Sequence, residues 1–74
     1  MTEDREYRTL GDALPEEIRR VTEEVMPDYV RIGPAGELAL AMMRTELREA
    51  TTALATGDIV GMMRSLEALR GWEL

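Results

Sequence analysis

The stretch from Pro34 to Thr56 carries a continuous helical pattern, and it follows directly on Arg31-Ile32-Gly33-Pro34-Ala35-Gly36-Glu37. Two glycines and a proline in front of such a run mark a hinge and a helix start. Proline at the first helical position forfeits no hydrogen bond, and the first-turn N–H groups stay open to an anion or a capping side chain. Behind the hinge, Leu40, Met43, Leu47, Ala50 and Leu54 alternate steps of three and four, the spacing of a helix packed lengthwise on another. Ala35, Leu38, Ala39, Ala41 and Met42 fill the remaining directions around the axis, so the front of this helix is apolar all round and needs cover all round.

Two further helices are predicted around it, giving an all-α, three-helix small domain with helices over about 15–26, 34–56 and 58–70. In the first, Pro15 fits N1, Glu16 and Glu17 complement the dipole, and Leu14, Ile18, Val21 and Val25 recur at helical spacing. Its outer face reads as self-neutralised through Glu16–Arg20, Arg19–Glu23 and Arg20–Glu24. Pro27 should end or kink it, leaving Asp28 to Ile32 as a turn or an extended connector. Gly57 and Asp58 supply a C′ glycine and an N-cap for a tight turn, so the second and third helices form an antiparallel hairpin. The third carries the stripe Ile59, Met62, Met63, Leu66 and Leu69. Gly71 ends it, and Trp72 is placed to fold back on its last turn. Residues 1–11 read as a polar N-terminal arm and 12–74 as the single helical domain.

A chain of 74 residues sits near the size where one core only just offsets chain entropy. Three short helices cannot cover the front of the middle one, so a homo-oligomer is expected, joined through Leu38, Leu40, Met42, Met43 and Leu47. No segment approaches the roughly 20 apolar residues of a membrane span, and the acidic start does not suit a signal peptide. A cytoplasmic protein with no membrane partner is the expectation.

Composition narrows the chemistry. There is no Cys and no His, which removes disulfides, thiolate and imidazole metal sites, Ser-His and Cys-His nucleophiles and imidazole acid/base work. The net charge is −6 and all nine cations are Arg, a balance that does not suit direct nucleic-acid binding. Glu16-Glu17 and Glu23-Glu24 are adjacent on a helix, where neighbours diverge by about 100°, so neither pair converges on a metal or a reacting atom. Ser65 has no base within reach in the sequence. Met42, Met43, Met62 and Met63 read as core filling at helical spacing. The chain is expected not to be an enzyme and to need no metal or cofactor.

Two binding constellations stand out. The hinge offers Gly33 and Gly36 for close backbone approach, Arg31 as a partner for an anion and Tyr29 as a stacking surface. Glu37 already places negative charge there and is an in-built competitor. Arg44 and Arg48, four apart on one face, repel each other and have no acid three or four residues away, so they seek carboxylate or phosphate elsewhere, including on a neighbouring subunit.

The layout Ile32-Gly33-Pro34-Ala35-Gly36, then Ala41-Met42-Met43, Ala53-Leu54-Ala55-Thr56-Gly57-Asp58-Ile59-Val60 and Leu66-Glu67-Ala68-Leu69-Arg70-Gly71, resembles short, uncharacterised helical proteins encoded by bacteriophages. The resemblance spans about residues 14 to 73 and brings no catalytic or binding residues with it. It implies a host-cell setting and a counter-defence role, in which a small protein blocks or sequesters a host component or its nucleotide signal. Two functions are therefore expected of a non-catalytic binding protein. In one, an oligomer sequesters a small nucleotide-like or anionic ligand through Tyr29, Arg31, Gly33, Gly36, Arg44 and Arg48. In the other, an acidic inhibitor or antitoxin-like adaptor docks on a basic host protein; residues 1–37, with ten acids against five Arg, would carry it.

Overall fold

A computed structural model describes residues 9 to 73. The described residues are all-helical: α1 (Leu10–Arg20), a π turn (Val21–Val25), α2 (Met26–Ile32), a 3-10 turn (Gly33–Gly36), α3 (Glu37–Thr56) and α4 (Ile59–Arg70). Three separate helices are thus not what forms. The expected first helix and the ambiguous connector after it become α1, the π turn and α2 in direct succession.

Pro15 and Pro27 both depart from the positions their local rules predict, for reasons visible in the backbone. The first helix starts at Leu10 and not at 15, because Thr9 caps it with its hydroxyl accepting from the Asp12 N–H at 3.2 Å. Thr9 followed three residues later by Asp12 is an N-terminal signature in its own right. Pro15 therefore lies inside α1, at the expense of the bond its nitrogen would have donated to Gly11. Pro27 does not end the rod, because the chain widens just before it. The Met26 N–H reaches back to the Val21 carbonyl, a five-residue step that relieves the ring's clash with the preceding turn. Pro27 then occupies the first turn of α2, where a missing N–H is harmless.

What does end the rod is Gly33, at φ 84° and ψ −144°, a backbone state open to glycine and strained for L side chains. The 3-10 turn that follows brings Gly36 against α2, and it is buried there. A methyl group on Gly36 would collide with the Tyr29 carbonyl oxygen, so this close approach requires glycine. The α-helical part of the long helix accordingly begins at Glu37. It ends at Gly57, left-handed at φ 69°, and Asp58 caps α4 by accepting from the Gly61 N–H at 3.0 Å, as the sequence predicts for this turn. α3 and α4 pack as a hairpin, with α1 against α4 and α2 against α3.

The core takes Leu14 from α1, Val21 and Val25 from the π turn, Leu40, Met43, Ala50 and Ala53 from α3, and Met62, Leu66 and Leu69 from α4. Leu47 and Leu54 pack partly buried against it. Met43 and Met62 are core filling, but Met42 and Met63 are exposed, so only half of the methionine set is interior. No helix among the described residues is long and apolar enough to cross a membrane. The N-terminal arm lies largely outside the described residues, whereas its last segment, from Leu10, is helix.

Candidate functional site

The hinge constellation is spent within the chain. Tyr29 is half-buried and meets Trp72 edge-on, with ring centroids 6.0 Å apart at 84°, and its hydroxyl lies 3.5 Å from the Glu73 carbonyl oxygen. A ring held this way is not a free stacking surface. Arg31 is exposed but paired with Asp28 one turn back. Gly36 faces the Tyr29 backbone, while Gly33 has open space around it and serves the rod's termination. No hydrogen bond or ion pair among the described residues joins these residues to Arg44 or Arg48.

Arg44 and Arg48 do share a face, as their spacing requires, and border a shallow hollow with Ile18 and Thr22 of the first rod and Leu47 and Thr51 of α3. Arg48 donates to the Thr45 hydroxyl at 3.4 Å; Arg44 has no ion pair or hydrogen bond among the described residues. The self-association set divides. Leu40 and Met43 are buried within a single chain, and Leu47 packs on the same core, which overturns the idea that a second copy must cover them. Leu38 and Met42 stay exposed, at 75% and 47%.

Sequence reasoning missed a clasp at the opposite end of α4. Arg20 donates to the Leu69 and Trp72 carbonyls at 3.0 and 2.9 Å and to Glu17 at 3.0 Å, so one guanidinium holds the end of α4 to α1. The Leu69 carbonyl is among the last of α4, where no helical N–H four residues on is left to pair with it, and the Trp72 carbonyl lies just past the helix end. Trp72 completes the clasp by donating from its indole N–H to Glu46 of α3 at 2.6 Å. Gly71 is right-handed, at φ −72°, so no left-handed cap forms; the Trp72 N–H bonds back to the Leu69 carbonyl at 3.2 Å while its ring reaches across to α3 and α2. Replacing Arg20 with Ala removes three charge-assisted bonds at a partly buried site and is expected to cost about 2 kcal/mol of unfolding free energy. Lys in its place should recover about half of that, since a single ammonium lacks the planar fork. Urea unfolding of both variants checks this.

The outer face of the first rod is acidic. Arg19 is shared between Glu23 at 3.2 Å and Glu24 at 3.5 Å, and the hydrogen bond and charge of Glu23, then the charge of Glu24, raise its pKa. One guanidinium between two carboxylates leaves net negative charge on an exposed surface. Beyond this, a groove of about 620 Å³ opens between α3 and α4, and it holds Arg48, Arg64 and the buried Ser65. Arg64 was not marked by spacing, because it becomes a site residue only when the hairpin brings α4 beside α3. Comparison with protein-family models, with curated proteins and with solved structures gave no match for this chain.

Proposed function

We propose that this is a non-catalytic binding protein that docks on a basic protein surface, in the manner of an inhibitor or adaptor. One observation carries the reading. Leu38 and Met42, one turn apart on α3, are exposed large apolar side chains, and Val30 and Ile32 are exposed on α2 just ahead of the turn into α3. Large apolar side chains left exposed on neighbouring elements are what a partner surface covers. The net charge of −6, with Glu23 and Glu24 sharing one counter-ion, selects a positively charged partner and speeds the encounter. A counter-defence setting of the phage type, with a host protein as target, fits such a docking role.

The experiment places a photo-cross-linking residue at position 42 and compares capture in cells by the parent, by a Leu38→Ser variant and by a Glu16/Glu23/Glu24→Gln variant. Both variants should lose the same basic partner, and the contribution of the acids should fade as salt rises. Cross-linking of the chain to itself, with a dimer by sedimentation, would replace this reading with self-association. A second reading, capture of a small anionic ligand, draws on a separate observation: Arg44 and Arg64 make no ion pair among the described residues, and Arg48 bonds only to Thr45.

A further inference from the structure

The groove between α3 and α4 exists because its floor is made of small side chains. Gly61, Ser65 and Ala68 recur along one face of α4 and oppose Ala53 of α3, so the two helices leave a hollow of about 620 Å³. That is in the range of small-molecule sites, roughly 300–1,000 Å³. Small residues alone would make only a close packing surface. Three further observations point to an occupant.

The first is Ser65. The residue is buried, at 7% exposure, it lines the groove, and its hydroxyl, which makes no hydrogen bond among the described residues, is not itself sealed from solvent. On α3, Thr45, Thr51 and Thr56 each donate to the carbonyl four residues back, at 3.2, 2.9 and 2.9 Å, while the exposed Thr52, also on the groove, makes no side-chain hydrogen bond among the described residues. Ser65 likewise keeps its donor and acceptor for whatever enters. The second is the pair of guanidiniums. Arg64 has no partner among the described residues, and Arg48 has only the long bond to Thr45.

The third is the division of labour among the acids. Glu46, Glu49 and Asp58 line the same groove. Glu46 accepts from the Trp72 indole and Asp58 from the Gly61 N–H, so each already has a fixed donor. Glu49 has none among the described residues. The uncommitted groups are therefore two cations, one anion and two neutral hydroxyls, those of Thr52 and Ser65. A bare anion would enter against three carboxylates, whereas a molecule carrying both signs would meet complementary charge at each end. No aromatic ring lines the groove, so a nucleobase finds nothing to stack on there.

We propose that the α3–α4 groove is a binding site for a small zwitterion, with an oxyanion group held by Arg48, Arg64 and Ser65 and an ammonium group held by Glu49. The site rests on the small-ligand reading and is independent of the docking surface at residues 30 to 42. Its oxyanion is a carboxylate, as in a free amino acid, or a phosphate, as in a phosphorylated amino alcohol. Both offer the paired oxygens that guanidinium forks recognise.

The test is a titration of the full chain with four probes: L-serine, O-phosphoethanolamine, inorganic phosphate and ethanolamine, followed by amide NMR shifts and by melting temperature. One or both zwitterions should shift the Gly61, Ser65 and Glu49 signals and raise the melting temperature by mass action. Which of the two binds identifies the oxyanion. Phosphate and ethanolamine, each carrying one end of the ligand, should bind at least about ten-fold more weakly. Arg64→Ala and Glu49→Gln should each lower zwitterion affinity by about ten-fold, whereas Arg31→Ala should not change it. Ser65→Ala provides the sharpest reading: removing a hydroxyl that makes no hydrogen bond among the described residues should leave the ligand-free melting temperature unchanged while affinity falls. No shift with either zwitterion at millimolar concentration, equal binding of inorganic phosphate, or undiminished affinity in Arg64→Ala would overturn the proposal. None of these outcomes touches the docking reading, whose variants lie elsewhere.

Discussion

Gly36→Ala is expected to lower the free energy of unfolding by about 2–4 kcal/mol, out of all proportion to a single methyl group. Gly36 is buried with ordinary right-handed angles, φ −93° and ψ −1°, so the penalty is not one of backbone conformation. It comes from the Tyr29 carbonyl oxygen, which occupies the space a Cβ would need. A clash with the far end of a side chain is relieved by rotation. A backbone carbonyl inside α2 has no such freedom, so α2 must move off α3 or the 3-10 turn must open. Either movement pulls Tyr29 from the edge of Trp72, and the fluorescence of this single tryptophan should change with the loss of stability. Gly33→Ala is the control. Nothing lies within 4 Å of a Cβ there, and only the positive φ of 84° is strained, so about 1–2 kcal/mol is expected with Trp72 undisturbed. Chemical unfolding followed by circular dichroism gives both values. A Gly36→Ala protein as stable as its parent would mean that α2 and α3 do not approach this closely.

The same glycine shows how far a sequence of this kind can be read. Periodicity identified the helical segments, the α3–α4 hairpin and most of the core, because 3.6-residue recurrence is a local signal. Gly57 and Asp58 were legible for the same reason: a left-handed glycine and a side-chain cap are decided within a turn. The prolines were not. Pro15 and Pro27 are helix breakers by local rule, and the rod passes both, through an earlier cap at Thr9 and a π turn whose widening no hydrophobic pattern records. Arg20 and Trp72 were harder still. Their partners are Leu69 and Glu46, distant along the chain, so the clasp exists only after helices have packed. The candidate site shares that fate. Arg48 was singled out as an unpaired cation, but Ser65 looked inert for want of a nearby base, and Arg64 carried no mark at all. The hairpin that places them in one groove was foreseen, while the register that makes them neighbours was not. Tyr29 and Arg31, the most suggestive pair by composition, were taken up by Trp72 and Asp28.

Met43→Ala is expected to cost about 2–4 kcal/mol, and by an amount that does not depend on protein concentration. Met43 is 0% exposed within a single chain, enclosed by a core to which every element except α2 and the 3-10 turn contributes. Deleting its side chain leaves a cavity that the short helices around it can collapse only in part. For a small domain, whose total stability is on the order of 5 kcal/mol, that approaches complete unfolding. Met42→Ala, one residue earlier and 47% exposed, should change stability by less than about 0.5 kcal/mol. The contrast decides where the apolar front of α3 goes. If a second copy covered it, both substitutions would weaken assembly, and the melting temperature of the parent would climb with concentration. If the chain covers its own share, the first substitution breaks the fold and the second alters only what Leu38 and Met42 offer to a partner. Thermal unfolding across a hundred-fold range of concentration, about two decades, separates the two, since only an associating system shifts with mass action.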